Sequence, residues 1–391
     1  MPVSKDFLPI AGASGQGDTT YTIDQSIRFN DDDSAYMHRT PSSSGNRKTF
    51  TYSAWIKLGN LGINRYLPFP NVTQNANYGL YMSSSDVLNI FIYYTGSAWQ
   101  GQLYTDQVFR DTSAWYHFVL VVDTTQDIPG ERVRFYVNGT RVTSFSTENY
   151  PNQNQDTDFN NNGEKMWIAS GSSSPGNFFD GYAAEIHWLD GYAYGPEFFG
   201  EFKADTDIWI PIEYTGSYGT NGFYIKGQDS SALGDDSSGN NNDLTTSGLA
   251  AHDQVLDSPT NNFCTFQPVM TNNSSFEFTE GNLKLDMNTN KSWYHGAGTT
   301  MSMSSGKWYW ESYWNSGDSY TIWGILDTEQ LYYLTGYQSS TAIYALNFNG
   351  IQPNASGTND QYRQGQGGSA IATGQAGAPG GIWQFALDMD N

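Results

Sequence analysis

RVRFYVNGTRV, residues 132–142, places two runs of alternating apolar and polar residues on either side of Asn138-Gly139. Alternation with period two marks a strand with one buried face. A two-residue Asn-Gly connection suits a type I′ turn, because both central residues of that turn need positive φ. The resulting register pairs Val137 with Thr140 and Phe135 with Val142. Val133, Phe135, Val137 and Val142 then share one face, which belongs in a core. Arg132, Arg134, Tyr136 and Arg141 share the other. Arg134, Tyr136 and Arg141 are the candidates there for contact with a partner; the plainer reading is a solvated face. Asn138-Gly139-Thr140 also spells a glycosylation sequon.

The composition extends the hairpin into a fold class. The chain has 391 residues, 38% of them hydrophobic and 16% aromatic, with 41 glycines. That length suits about two domains, and the composition is that of short strands joined by many polar turns. The formal charge is −22. Such a surface repels phosphate backbones and anionic lipids, so nucleic-acid binding is set aside. Cys264 is the only cysteine, so no intramolecular disulfide is available. The N-terminal MPVSKDFLPIAGASGQGD lacks the apolar core of a signal peptide. No apolar run approaches the ~18 residues needed to span a bilayer. The expectation is a protein made in a cytoplasm without membrane insertion, and an incidental sequon.

Residues 1–21 read as an arm or anchor. Strand signals follow at Ser26–Asn30, Thr49–Leu58, Tyr78–Met82, Val87–Tyr94, Trp115–Asp123, Arg132–Val137, Thr140–Phe145, Lys165–Ala169 and Gly181–Leu189. Two stacked antiparallel sheets explain this spacing. A short helix is expected at Pro196–Phe202, with proline in the first turn. Residues 206–268, rich in Asn, Asp and Gly, read as a connector packed on its neighbours, with one strand signal at Gly222–Lys226. Strand signals resume at Leu283–Leu285, Lys307–Tyr313, Tyr320–Leu326, Ala342–Phe348 and Ile382–Met389, with Trp308, Trp310, Trp323 and Trp383 as core-forming area. The chain ends directly after a strong strand, which reads as a domain cut short.

The order of motifs carries a resemblance. SAWYHFVLVVDTT (113–125), the hairpin, and KMWIASGSSSPGNFFDGYAAEIHWLDGYAYGPEFFGEF (165–202) follow one another. This order resembles the laminin-G-like (LamG) concanavalin A-like domains. Trp115, His117, Asp123, Tyr136, Asn138, Gly139, Asp180, Gly181 and Glu185 fall on the family pattern, and FTYSAWIKLGN (50–60) resembles its early core strand. The likeness covers roughly residues 22–205. It implies a jelly-roll sandwich used to bind carbohydrate or protein. SSGKWYWES (304–312), WGILD (323–327) and IWQFALDMDN (382–391) resemble the SPRY domain over residues 269–391, with its last strand pair missing. The expected fold is therefore all-β, two tandem concanavalin A-like sandwiches with the second incomplete. The combination resembles virion structural proteins of marine tailed bacteriophages: tail fibres, head fibres or decorations. That resemblance implies other virion proteins and host-surface polysaccharide as partners, and a homo-oligomer, commonly a trimer.

Catalysis is the competing class. EIHWLD (185–190) sets Glu185, His187 and Asp190 at a spacing like the E-[ILV]-D-x-x-E strand of laminarinase-type enzymes. Two carboxylates must flank the scissile bond. In a regular strand Glu185 and His187 share a face while Asp190 lies opposite, so a bulge would be needed to bring Asp190 around. The expectation is a binder without catalytic residues. A purely structural virion protein and a polysaccharide-degrading glycosidase are the alternatives. For carbohydrate, Trp99 in TGSAWQG (95–101) and nearby Tyr104 are the candidate stacking residues, against core packing. Asp235, Asp236 and Asp243 offer oxygens for calcium, the one cofactor considered; the plainer reading is an Asx-rich turn.

Overall fold

The computed structural model describes residues 21–72, 79–94, 96–171, 175–271, 276–287, 297–315, 323–326, 348–352, 361–363, 381–388 and 390. The arm expected at 1–21 lies outside them but for its last residue. Among the described residues, 21–265 and 278–285 form one compact unit, and the rest form another. No helix of the described residues is long and apolar enough to cross a membrane.

The first unit is built on an eight-stranded antiparallel sheet. In order across it run Thr140–Arg141, Val133–Val137, Tyr116–Asp123, Thr49–Leu58, Gly181–Asp190, Ser26–Phe29 and Gln254–Val255, with Phe223–Ile225 also paired to Gly181–Asp190. The opposing layer holds two smaller sheets. One runs Phe145–Asn149, Gln102–Val108, Val87–Phe91, Gly79–Met82 and Arg65–Tyr66; the other runs Thr245–Ser247, Tyr36–Arg39, Met166–Ile168 and Asn71–Val72.

Alternation along the strands makes the core between the layers. TFTYSAWIKL (49–58) turns Phe50, Tyr52, Ala54, Ile56 and Leu58 inward. They meet Leu80, Met82, Leu88, Ile90 and Leu103 from the five-stranded sheet and Met37, Met166 and Ile168 from the four-stranded one. Filling this space with close-packed apolar side chains is the main drive to the fold.

The eight-stranded sheet is buried on its other face as well. There Ile23, Trp55, Trp115, Tyr182 and Ala184 form one apolar cluster, and Val119, Val121, Leu189, Phe199 and Tyr214 form another. The cover comes mostly from the chain after residue 190, joined by Tyr21 and Ile23 before the first strand. Pro196–Phe198 is a single 3-10 turn, and Gly200–Phe202 pairs with Trp209–Pro211 as a hairpin. The helix expected over Pro196–Phe202 therefore stops after one turn. A Cβ on Gly200 would lie 2.5 Å from the Trp209 ring, so the glycine permits a close approach that binds this segment as strand.

The opening hairpin forms in the register its sequence dictates. Val137 pairs with Thr140, Tyr136 with Arg141, and Val142 N–H donates to Phe135 O at 2.9 Å. Asn138 and Gly139 have φ of 47° and 76°. The strand expected over Thr140–Phe145 is split: Thr140–Arg141 stays in the hairpin, and Phe145–Asn149 joins the five-stranded sheet of the opposite layer.

Residues 206–265, expected as a connector packed on its neighbours, pair into the sandwich itself. Besides the hairpin strand Trp209–Pro211, they supply Phe223–Ile225, Thr245–Ser247 and Gln254–Val255 to the sandwich. A buried ion pair fastens them. Lys57 Nζ, on the outer face of the central sheet, donates to Asp257 Oδ2, Asn262 Oδ1 and Phe263 O, each at 2.8 Å. All three ammonium protons are thus used, the condition under which a buried lysine is tolerated. These strands have only two or three residues, too short for alternation to show in the sequence.

In the second unit Lys307–Trp314 pairs antiparallel with Gly381–Asp388, from Lys307↔Asp388 to Trp314↔Gly381. Trp308, Trp310 and Phe385 are half-buried on one face, while Tyr309 and Tyr313 on the other are exposed. Trp323–Leu326 pairs with Phe348–Gln352, which pairs with Gln361–Arg363. Most of the strand expected at Ala342–Phe348, and the side chains of Trp323 and Trp383, lie outside the described residues.

Candidate functional site

Trp99 and Tyr104 come together on the outer face of the five-stranded sheet. VLNIF (87–91) turns Leu88 and Ile90 to the core and Phe91 outward; QLYTDQV (102–108) does the same with Leu103 and Tyr104. Trp99 returns on the loop and bridges to Tyr94. Its ring centroid lies 4.6 Å from Phe91 and 5.1 Å from Tyr94, and Phe91 lies 5.8 Å from Tyr104. Gln102 Nε2 donates to the Tyr104 hydroxyl at 2.6 Å. All four rings are half-buried, and Tyr94 and Trp99 also pack against the central core. Clustered rings beside a side-chain amide suit the apolar face and hydroxyls of a sugar. Phe91 and Tyr94 were missed from sequence; the period-two pattern of VLNIF was the available signal for Phe91.

Glu185 and His187 lie on the outer face of the eight-stranded sheet, under the cover from residues 199–214. The pairing with Thr49–Leu58 slips between Ala184 and His187, and Glu185 takes φ of 52°. A bulge is present, but it lies before His187. From there alternation resumes, so Asp190 emerges opposite. Asp190 accepts Asn46 N–H at 2.6 Å, Asn160 Nδ2 at 3.0 Å and Asn221 N–H at 2.9 Å. It is a loop anchor on the far side of the sheet from Glu185.

The Glu185 carboxylate accepts the hydroxyls of Tyr21 and Tyr224, each at 2.6 Å, and His187 Nε2 stands 3.6 Å from Oε2. Burial alone would raise its pKa; His187 and the two tyrosine donors outweigh burial and hold it below the usual range. His187 stacks on Tyr224 at 4.3 Å and bonds Tyr218 OH through Nδ1 at 3.0 Å.

Beside this pair, Ser53 Oγ lies 2.8 Å from His117 Nε2. Trp209 Nε1 donates to His117 Nδ1 at 2.9 Å. An indole N–H only donates, so Nδ1 is the acceptor and Nε2 carries the proton. Burial drives the His117 pKa down to about 3, helped by His187. The ring is therefore neutral and faces Ser53 as a donor, the wrong tautomer to take a serine proton. The space between Glu185, His187, His117 and the covering Phe199, Pro211 and Ile212 admits no water molecule.

Arg134, Tyr136 and Arg141 all make contacts within the chain. Arg141 donates to Glu131 Oε1 at 2.7 Å and Gly130 O at 2.8 Å, and Arg134 Nε stands 3.9 Å from Glu131. Tyr136 packs on the cluster of Val119, Val121 and Phe199. Of the face expected to meet a partner, Tyr136 is covered by residues 192–218, while Arg134 and Arg141 keep 23% and 36% of their side-chain surface exposed.

The loop of Asp235, Asp236 and Asp243 is an Asx-turn network. Asp236 Oδ1 accepts Tyr224 N–H and Ser238 N–H, Oδ2 accepts Ser238 Oγ–H and Asn242 N–H, and Asp243 Oδ1 accepts Asp236 N–H. The Asp236 lone pairs are occupied by protein donors. Among the described residues no group of three or more His, Cys, Asp or Glu could hold a metal ion.

The two-layer antiparallel sandwich is that of a concanavalin A-like domain. Residues 30–193 match the Laminin_G_3 family, of the Concanavalin A-like lectin/glucanases superfamily. Among solved structures the chain is similar to a "putative carbohydrate binding protein" from Bacteroides ovatus ATCC 8483, at 17% identity over 58% of this chain and 58% of that one, TM-score 0.40. It is similar to a SAP-like pentraxin from Limulus polyphemus, at 16% identity over 45% of this chain and 80% of that one, TM-score 0.32. It is also similar to the enzymatically active domain of tailspike protein 2 from bacteriophage CBA120, at 15% identity over 41% of this chain and 25% of that one, TM-score 0.28. The chain thus spans 58% of the first of these structures. No curated protein matches it.

Proposed function

We propose that the chain is a non-enzymatic glycan-recognition protein of a bacteriophage surface, a tail fibre, head fibre or decoration that engages host polysaccharide. The observation that carries the binding role is the half-buried cluster of Phe91, Tyr94, Trp99 and Tyr104 on a lectin-type domain. The non-enzymatic part is supported by the separation of Glu185 and Asp190 onto opposite faces and by the donor tautomer of His117. The virion setting is supported by the order of sequence motifs, including the SPRY-like run after residue 269. Assembly as a homo-oligomer, commonly a trimer, is part of the same reading.

Titration of the purified chain against host-surface polysaccharides should show binding, and Trp99→Ala should weaken it roughly tenfold, about 1.4 kcal/mol. An unchanged affinity in that variant would remove the site. Release of reducing sugar, abolished by Glu185→Gln, would overturn the non-enzymatic reading. Mass spectrometry of purified particles should find the chain; its absence would sink the virion setting. A sized monomer in light scattering would remove the oligomer.

A further inference from the structure

A second aromatic surface lies on the four-stranded sheet. YMHR (36–39) buries Met37 and turns Tyr36 and His38 outward, and MWI (166–168) buries Met166 and Ile168 and turns Trp167 outward. Trp167 stands opposite His38 in register. Tyr36 lies 5.6 Å from Trp167 and 6.1 Å from Phe178, near-parallel to the latter at 22°. His38 lies 6.0 Å from Tyr36 and 5.5 Å from Trp167. All four rings are half-buried. Two strands and a loop thus converge on a continuous aromatic ledge that the core does not need.

The ledge carries positive charge in a chain of net charge −22. Lys165 Nζ sits over the Trp167 ring, 4.6 Å from its centroid, which is within cation–π range. It has no carboxylate partner among the described residues. The pKa of His38 is lowered by burial and then by Lys165, with no carboxylate acting on it. Trp167 Nε1 is buried without a hydrogen-bond partner. The spot therefore offers an unneutralised ammonium beside an apolar ledge. A ligand that presents an apolar ring face with a single acid group on it meets both features locally.

We propose that Tyr36, His38, Trp167, Phe178 and Lys165 form a second carbohydrate-binding surface, specific for anionic pyranose units, with the sugar face on the ledge and its acid group paired to Lys165. The surface is independent of the Trp99 cluster and stands or falls separately from it.

The test is calorimetric titration of the full chain with polygalacturonate, dextran sulfate and neutral dextran. Polygalacturonate should bind, more weakly as salt is raised. Dextran sulfate should bind comparably if any acid group suffices, and more weakly if the carboxylate is read; both outcomes keep an anionic-sugar site. Lys165→Gln should weaken polygalacturonate binding about tenfold, Lys165→Arg should retain most of it, and Tyr36→Ala should weaken it similarly to Lys165→Gln. Trp99→Ala should leave it unchanged. Circular dichroism on each variant separates lost binding from lost fold. Absence of polygalacturonate binding, or unchanged binding in folded Lys165→Gln, overturns the proposal. Loss on Lys165→Gln with no effect of Tyr36→Ala reduces it to ion exchange and overturns it too. Binding lost in Trp99→Ala alone assigns the acidic glycan to the other sheet.

Discussion

At the scale of single residues, Asn138 and Gly139 each serve twice. Both hold positive φ. The Asn138 side chain also accepts His117 N–H at 2.7 Å, tying the turn to the neighbouring strand. Gly139 also makes room for Trp209, whose ring would stand 2.4 Å from a Cβ at that position. Gly139→Ala should therefore cost roughly 1–3 kcal/mol, from overpacking and backbone strain together. Urea unfolding would show it as a lowered midpoint, and a neutral result would mean Trp209 is free to move away. Because Trp209 donates to His117 Nδ1, the same glycine indirectly fixes the His117 tautomer.

Asp180 and His117 give stability two opposed pH dependences. Burial, then Asp31, raises Asp180 from 3.8 to about 7. Between those values the folded chain holds a proton that the unfolded chain releases, so this contribution falls as pH rises through the window. Burial lowers His117 from 6.5 to about 3. There the unfolded chain takes up the proton first, so stability is lost as pH falls through that window. The two slopes oppose each other where the windows overlap. Asp180→Asn should remove the Asp180 limb, so stability of the variant relative to the native chain should rise between pH 4 and pH 7. Parallel profiles would show that Asp180 titrates normally.

At the scale of elements, the Thr49–Leu58 strand shows how a polar residue can be essential to a core. Lys57 is fully buried, and its three acceptors all come from residues 257–263. Lys57→Ala would leave Asp257 buried without its partner, and should cost about 3–5 kcal/mol in thermal or urea unfolding. A loss below 1 kcal/mol would mean that the 257–263 segment detaches freely. The same pair shows why this segment was not legible in advance. The alternation of RVRFYVNGTRV, FTYSAWIKL and VLNIF declares strand, face and register within a few residues, and the long central strands and the turn follow from it. Phe223–Ile225, Thr245–Ser247 and Gln254–Val255 have too few residues to carry a period. They are placed by partners distant in sequence. Trp99 and Tyr104 could be picked as loop and strand aromatics, but their meeting with Phe91 and Tyr94 depends on strand neighbours that only pairing defines. The Tyr36, His38, Trp167 and Phe178 ledge joins residues from three separate stretches, and no local pattern marks it.

At the scale of the whole molecule, the motif run from Trp115 to Glu185 marks the domain, but the folded unit is longer. A chain ending at residue 205 would expose the Gly181–Asp190 strand where Phe223–Ile225 pairs, and would strand Lys57 without its acceptors. Residues 21–205 should therefore aggregate or unfold non-cooperatively, whereas residues 21–287 should unfold in one transition by circular dichroism. Cooperative folding of the shorter chain would show that the later strands only decorate the sandwich.

The double cover of the eight-stranded sheet has a kinetic consequence. Thr49–Leu58 and Gly181–Asp190 are sandwiched between the central core and an outer apolar layer. Their amide protons cannot meet solvent through movement of either layer alone. In deuterium these two strands should be the last to label, at the rate of global opening, while Gln102–Val108, with only one face covered, labels earlier. The sheet is then a keel: the outer surfaces of the opposite layer, where both ring clusters sit, can change without loosening it.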